Sequence, residues 1–216
     1  MDESKNLKLA RQARADNNSE DAKMFYNKVR EEDPENGEAK FFYAFYSIYE
    51  GKNVEIPNRF SNLCKTLPSS INFIKESSLS KEEQLTSIEE IVNAFVPETW
   101  AENRYMNNKN HETKIGDSYV EVFDYNAMHT VRVAGLKALK DLGDQIENFY
   151  TADPKCKQLA VLAWKEYVLL SQTWHALSVK GDAEIYTEKI KKVDPSYEMP
   201  KKVTCISACI PFTNKK

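Results

Sequence analysis

Apolar residues recur at helical spacing along most of this 216-residue chain, and that periodicity constrains the fold more than any other feature. Glycine and proline number only 6 and 8, which leaves too few turn formers for a many-stranded sandwich or barrel. Hydrophobic residues make up 41% of the chain, which is enough to build a folded core. We therefore expect an all-α protein, an antiparallel helical bundle or array of seven or eight helices.

Charge and composition exclude several classes of partner. The chain has 30 Lys and Arg against 33 Asp and Glu, a formal net charge of -3, so it lacks the basic balance of a nucleic-acid-binding domain. It has no uninterrupted run of the roughly 20 apolar residues that a membrane span needs, and its first residues carry no secretory signal pattern. Four cysteines are too few for a disulfide-built scaffold, which favours reduced thiols and a cytoplasmic location.

Two segments of the chain, 1–51 and 158–197, have the pattern of paired helices. In each segment a helical stripe of apolar residues is followed by a polar turn and a second stripe. The second stripe begins with a small residue, Ala22 or Ala183, and an Asp-Pro pair follows that alanine after the same interval. We expect both alanines to be buried where the paired helices approach closely.

The spacing of these small and aromatic residues resembles the tetratricopeptide repeat, whose period is about 34 residues. The residues that carry the resemblance are Leu9, Ala10, Ala22, Tyr26, Val29, Pro34, Tyr43 and Ala44. The aromatic residue that usually begins the first helix is missing, and Glu55-Ile56-Pro57 stands where the second repeat should have its small residue. As a whole, the chain resembles bacterial helical proteins with a tetratricopeptide-like start and a helical middle. The resemblance implies helical hairpins at both ends and no particular biochemical activity.

The middle segment, 52–157, is expected to be helical without the repeat pattern. The sequence Ser-Lys-Glu-Glu at 80–83 is a capping box that begins a helix, and Pro97 is expected to end or kink that helix. Apolar residues keep helical spacing from 117 to 150, which predicts one long helix, and 103–114 reads as a polar connection or the exposed end of a helix. We expect the middle and end segments to form one continuous helical domain.

The candidate partner-binding residues are Phe41, Phe45 and Tyr49, which are spaced four apart on one helical stripe. A helical array has a concave face formed by the first helix of each hairpin, and exposed aromatic side chains there offer a large apolar contact area. The sequence therefore favours a non-enzymatic module that binds a protein or peptide. The alternative is that the stripe packs against helices of the middle segment and belongs to the core. The sequence leaves a homo-oligomer open and indicates no nucleic-acid or membrane partner.

Two other classes of function stay open. The tail, 198–216, contains Cys205 and Cys209, which could supply half of a tetrahedral zinc site or a thiol-linked function, although the usual zinc knuckle has a shorter spacing. A helical-bundle enzyme would need a deep pocket that gathers His129 or His175 with carboxylates. The three histidines include no pair at the i, i+4 spacing that binds a metal on one helical face. We therefore expect no catalytic residue, no cofactor and no metal.

Overall fold

The structure, a computed structural model, describes residues 4–50, 55–108, 111–115, 118–122, 125–151, 153–173 and 182–201, without the side chains of 100–128. These residues form eight helices and one two-stranded hairpin, so the fold is all-α apart from that hairpin. The helices are α1 (Lys5–Ala15), α2 (Ser19–Glu32), α3 (Gly37–Tyr46), α4 (Ile56–Glu76), α5 (Lys81–Asn108), α6 (Tyr125–Glu147), α7 (Pro154–Thr173) and α8 (Asp182–Lys191). The strands β1 (His111–Ile115) and β2 (Ser118–Val122) pair antiparallel.

A three-residue turn ends α1 and begins α2. Asn17 has a φ of 56°, the left-handed conformation that Asn tolerates better than most residues. The N–H of Asn18 donates to the carbonyl of Ala13 at 2.9 Å, which closes the end of α1. The Asn18 carboxamide oxygen accepts from the N–H of Asp21 at 3.2 Å and caps α2. This short connection makes α1 and α2 an antiparallel pair that packs along its length.

Local signals also determine where α5 and α7 begin. The N–H of Glu83 donates to Ser80 Oγ at 3.3 Å, and the N–H of Ser80 donates to the Glu83 carboxylate at 2.8 Å, so the capping box at 80–83 is confirmed. Before α7, Asp153 Oδ1 accepts from the N–H of Lys155 at 2.8 Å. Pro97 lies inside α5, which runs on to Asn108, so of the two outcomes expected for this proline the end of the helix is excluded.

The helices are arranged largely in chain order. Each of α1, α2, α3 and α4 packs against the next, α4 packs against α6, and α7 and α8 continue the array. Helix α5 lies across this array and contacts α3, α4, α6 and α7. One hydrophobic cluster runs from Leu7 on α1 to Ile190 on α8. The middle segment therefore shares a core with both end segments, and α5 covers part of α3.

The core contains the small residues that the paired-helix pattern predicts. Ala22 on α2 is fully buried and Ala183 on α8 is buried as well, which confirms that both alanines are buried as expected.

The core around α3, α4 and α5 is aromatic. Phe60 on α4 stacks on Phe95 of α5 with ring centroids 6.3 Å apart, and Phe95 meets the edge of Phe41 on α3 at 6.5 Å.

The single long helix expected from 117 to 150 is wrong in its first part. Residues 118–122 form a strand that pairs with 111–115, and α6 begins only at Tyr125. The strand sequence Ser-Tyr-Val-Glu-Val is rich in β-branched and aromatic residues, which favour strands. The dipeptide Gly116-Asp117 between the two strands is a known sequence signal for a hairpin. In a stretch as short as 118–122 the apolar residues fit both a helical period and the alternation of a strand, so the sequence pattern did not distinguish the strand from a helix.

Helix α7 is buried along most of its length. Leu159, Ala163 and Leu170 are buried, whereas Leu162 is 45% exposed. Lys165 lies in the middle of the helix and pairs with Asp194 at 2.7 Å.

Neither α7 nor any other helix in the described part of the chain has the length and hydropathy that crossing a membrane requires.

Neighbouring side chains approach the backbone of α6 to different distances at its two glycines, Gly135 and Gly143. A Cβ at Gly143 would lie 2.3 Å from Nε1 of Trp164, whereas a Cβ at Gly135 would meet the Phe60 ring at an ordinary 3.5 Å. Trp164 is almost completely buried on α7. The indole therefore packs directly on the backbone of α6 at position 143, a contact that only glycine allows without a shift.

We expect Gly143→Ala to reduce the free energy of unfolding by about 1–3 kcal/mol, because the added methyl group overpacks the contact with Trp164. Gly135→Ala is the matched control on the same helix, and it should stabilise the protein by up to about 1 kcal/mol through helix propensity. Urea unfolding followed by circular dichroism measures both. Equal effects of the two substitutions would contradict the α6–α7 packing described above.

Candidate functional site

Three surface depressions, called hollows below, border α3. The α1–α3–α5 groove has a volume of about 670 Å³, the α2–α3 groove about 540 Å³, and the α2–α3–α4 pocket about 280 Å³. The α1–α3–α5 groove is lined by Arg11, Arg14, Ala15, Asn17, Ser19, Phe42, Phe45, Tyr46, Glu90, Asn93 and Ala94. The α2–α3 groove is lined by Ser19, Glu20, Lys23, Met24, Asn27, Tyr43, Tyr46, Tyr49 and Glu50. The α2–α3–α4 pocket is lined by Arg30, Lys40, Tyr43, Ala44, Ser47, Arg59, Asn62 and Thr66.

The predicted stripe of three aromatic residues does not face one environment. Phe41 is 0% exposed and packs on Phe95, so it is a core residue and cannot be a contact for a partner. Phe45 is partly buried and lines the α1–α3–α5 groove. Tyr49 is 52% exposed, lines the α2–α3 groove, and its hydroxyl donates to the Glu98 carboxylate of α5. The stripe therefore divides between core and surface, because α5 packs on the ring of Phe41, whereas Tyr49 contacts α5 through its hydroxyl and stays half exposed.

The exposed aromatic face of α3 is formed instead by Tyr43 and Tyr46. Tyr46 lines both grooves and stacks on Phe42 with ring centroids 6.2 Å apart. Tyr43 lines the α2–α3 groove and the α2–α3–α4 pocket. Both side chains are partly buried, and burial raises the pKa of the Tyr46 phenol. These two residues give α3 a continuous aromatic surface between the three hollows.

A buried carboxylate lies behind the α1–α3–α5 groove. Glu38 in the first turn of α3 is only 3% exposed. Its carboxylate accepts from Nε of Arg11 at 3.0 Å, from the hydroxyl of Tyr26 at 2.9 Å and from the hydroxyl of Ser87 at 3.4 Å, and Nη1 of Arg14 lies 3.5 Å away. Burial and the Glu38 charge raise the pKa of the Tyr26 phenol, so it stays a donor. This cluster connects α1, α2, α3 and α5.

Arg14 forms the charged wall of the same groove. Its Nη2 lies 2.6 Å from Oε2 of Glu90 on α5, and its guanidinium carbon lies 4.3 Å from the centre of the Phe42 ring. Burial alone would lower the pKa of Arg14, but Tyr26, Glu38 and Glu90 raise it on balance. The two arginines of the α1–α3–α5 groove are thus held by Glu38 and Glu90, and the groove combines a compensated polar wall with an aromatic wall.

Of the other predicted site residues, the structure describes only His129, which does not line any of the three hollows. His129 is exposed on α6, away from the residues that line them. His175, Cys205 and Cys209 lie outside the described residues. Within the residues that the structure describes, no group of three or more His, Cys, Asp or Glu side chains could hold a metal ion.

A second polar cluster lies between α6, α7 and α8, at the other end of the molecule. Lys189 on α8 lies 2.8 Å from Asp144 and 2.9 Å from Glu147, both on α6, and its ammonium group is 4.6 Å from the centre of the Trp164 ring. The Tyr186 hydroxyl donates to the same Asp144 carboxylate. These groups satisfy one another and hold α8 on α6 and α7, which is a structural role.

Glu166 on α7 differs from these compensated carboxylates. Its Oε1 is buried and has no hydrogen-bond partner within the described residues. Burial raises the pKa of the Glu166 carboxyl to about 7. Glu166 lines none of the three hollows around α3. Its buried carboxyl therefore affects the stability of the fold.

The comparisons with known proteins leave the site to be interpreted from its geometry. Neither a protein-family model, nor a curated protein, nor a solved structure matches this chain. The tetratricopeptide-like character of the two end segments therefore stays a prediction.

Several residues around α3 were missed by the sequence reasoning. Tyr43 and Tyr46 are three apart and therefore also share a helical face, but the 41, 45, 49 stripe fits the same period equally well. Arg11 and Arg14 are likewise three apart on α1, and nothing in the sequence links them to Glu38. The run Phe-Phe-Tyr-Ala-Phe-Tyr at 41–46 was a usable signal for an aromatic helix, but it does not say which side is exposed.

We expect Glu38→Gln to reduce the free energy of unfolding by about 3–5 kcal/mol, because it leaves Arg11 and Arg14 without the buried charge that compensates them. Glu20→Gln, at an exposed carboxylate on α2, should change it by no more than about 0.5 kcal/mol. Chemical denaturation of both variants measures the difference. A loss for Glu38→Gln as small as that of the control would show that the cluster does not hold the helices together.

Glu166 makes the stability of the protein depend on pH. The raised pKa of Glu166, about 7 in the folded state, means that the native protein holds a proton there that the unfolded chain releases above its ordinary pKa of 4.5. The stability from this group is therefore complete below that ordinary value and is lost as the pH rises through about 7. We expect Glu166→Gln to lose less stability than the native protein between about pH 5 and about pH 8.

Urea unfolding of native protein, Glu166→Gln and the exposed control Glu188→Gln at both pH values measures this effect. The control should show the same pH dependence as the native protein. Identical slopes for all three proteins would contradict the raised pKa.

Proposed function

We propose that this protein is a non-enzymatic module that binds a segment of another protein in the α1–α3–α5 groove. The observation that carries the proposal is the pairing of an aromatic wall, formed by Phe42, Phe45 and Tyr46, with a polar wall in one open groove of about 670 Å³. A volume in this range suits side chains of a bound ligand. Tyrosine and phenylalanine supply contact area at little cost in side-chain entropy, which makes them frequent anchors of interfaces.

The polar wall supports a peptide rather than a purely apolar ligand. Asn17 and Asn93 are exposed at the groove, and their carboxamides offer both donors and acceptors for the backbone of a bound segment. Arg14 is fixed by Glu38 and Glu90, so it presents a rigid edge rather than a mobile charge. The groove lies between α1 and α3, the first helices of consecutive helical pairs, as a tetratricopeptide-like array implies.

The alternatives have less support. No histidine or cysteine, two residue types that often act as a general base or a nucleophile, lies among the described residues of the three hollows. The metal- or thiol-linked alternative concerns Cys205 and Cys209, outside the described residues. The proposal includes a cytoplasmic location, on the sparse cysteines of the sequence, and a tetratricopeptide-like origin of the helical pairs.

The test uses a random peptide library displayed on phage and selected on the native protein. Enriched peptides are then synthesised, and their dissociation constants are measured by fluorescence anisotropy. We expect Tyr46→Ser to weaken binding at least about tenfold, or about 1.4 kcal/mol, because it removes an aromatic anchor. Ala15→Arg should weaken it similarly, because the long side chain occupies the groove from the exposed end of α1.

The control is Leu162→Ser, which changes a 45% exposed apolar residue on α7, outside the groove. Its dissociation constants should equal those of the native protein. Denaturation curves establish that all variants are folded. Failure to enrich any peptide, or equal binding by the native protein and both groove variants, would refute the proposal.

A further inference from the structure

The α2–α3–α4 pocket has a different chemical character from the two grooves. Three cationic side chains on three helices line it, namely Arg30 on α2, Lys40 on α3 and Arg59 on α4. Among its described lining residues there is no carboxylate. The chain as a whole has a formal net charge of -3, so a concentration of positive charge at one pocket is a local feature.

The positive charge of the pocket is poorly compensated. Arg30 lies over the ring of Tyr43, with its guanidinium carbon 4.0 Å from the ring centre, and Lys40 lies 4.5 Å from the centre of the Phe73 ring. Rings attract a cation but do not neutralise it. Only Arg59 has an ion pair among the described residues, with Glu55 one turn earlier on α4, and its Nη1 is buried without a hydrogen-bond partner there.

Other cations around α3 show a contrasting pattern. Arg11 and Arg14 share the Glu38 carboxylate, Arg14 also pairs with Glu90, and Lys23 pairs with Glu50. In this protein a cation beside a hollow is therefore normally matched by a carboxylate. The α2–α3–α4 pocket departs from that pattern in two of its three cations.

The donors available in the pocket define the ligand chemistry. The hydroxyls of Ser47 and Thr66 donate to the backbone carbonyls of Tyr43 and Asn62, at 2.7 and 2.9 Å, so they are not free to donate to a ligand. Nη1 of Arg30 donates to the carboxamide oxygen of Asn27 at 3.5 Å. The remaining donor capacity comes from the other N–H groups of the two guanidinium groups, the Lys40 ammonium and the Asn62 carboxamide. Guanidinium groups bind oxyanions through two parallel hydrogen bonds.

We propose that the α2–α3–α4 pocket binds a phosphate group. A tetrahedral oxyanion with close to two negative charges matches a pocket lined by three cations better than one carboxylate does, because a carboxylate brings a single charge. The volume of about 280 Å³ accommodates one phosphate group with its immediate substituent. Inorganic phosphate and a phosphorylated side chain share this chemistry.

The phosphate site is independent of the peptide groove. The pocket shares Tyr43 with the α2–α3 groove and has no lining residue in common with the α1–α3–α5 groove. Loss of peptide binding in Tyr46→Ser would therefore leave the phosphate proposal intact, and the converse holds as well.

Isothermal titration calorimetry with inorganic phosphate at low ionic strength tests the site. We expect Lys40→Met and Arg59→Met each to weaken phosphate binding at least about tenfold, because each removes a charge and its hydrogen bonds. Lys157→Met, at an exposed lysine of α7, is the matched control and should bind phosphate like the native protein. Absence of binding to the native protein, or an equal loss in the control, would overturn the proposal.

A near-isosteric variant tests the charge of the pocket without removing a cation. Asn62→Asp places a carboxylate among Arg30, Lys40 and Arg59. We expect it to weaken phosphate binding at least about tenfold and to remove the rise in thermal midpoint that phosphate gives the native protein. Unchanged phosphate affinity in this variant would overturn the proposal even if the cation variants proved unstable.

A short phosphoserine peptide and its unphosphorylated form distinguish the two sources of the phosphate group. Tighter binding of the phosphopeptide than of inorganic phosphate identifies a phosphorylated side chain, whereas equal or weaker binding identifies free phosphate, and either result supports the site. Equal affinity for the two peptides, together with no binding of inorganic phosphate, would refute it.

Discussion

The buried carboxylate of Glu38 is the interaction on which the arrangement around α3 depends. A carboxylate at 3% exposure is tolerated only when charged and polar partners replace the water that it has lost. Those partners come from α1, α2 and α5, through Arg11, Tyr26 and Ser87. The contact with Ser87, at 3.4 Å, bridges 49 positions of sequence and links α5 to α3, beside the packing of Phe95 on Phe41. The position of α5 then determines both what becomes core and where a groove remains.

Helix α3 has different roles on its different faces. Phe41 faces α5 and is core, Tyr46 separates the two grooves, and Tyr43 borders the pocket beside Arg30. The same ten-residue helix thus contributes to packing, to the proposed peptide groove and to the proposed phosphate site. The two proposed sites differ in charge compensation. The arginines of the groove have carboxylate partners, whereas two cations of the pocket have only uncharged partners, namely aromatic rings and, for Arg30, the Asn27 carboxamide.

Much of the fold followed from local signals. The capping box at 80–83 and the buried alanines at 22 and 183 were predictable, since each depends on residues within a few positions or on a repeated spacing. The hairpin at 111–122 was missed because apolar residues in a short stretch can satisfy both a helical and an alternating pattern. The candidate site was only partly predictable, since Phe45 and Tyr49 lie at the grooves and Phe41 does not.

The sequence by itself determined that this chain is helical, where several helices begin, and that α3 carries a dense group of aromatic residues. Those properties depend on propensity, capping and period, which act over one or two turns of helix. The tertiary structure decided which aromatic residues are exposed, which charges are compensated and where the hollows lie. These properties depend on contacts such as those of Glu38 with Arg11 and Ser87, between residues 27 and 49 positions apart. A helical period specifies a face, and only the neighbouring helix decides whether that face is covered.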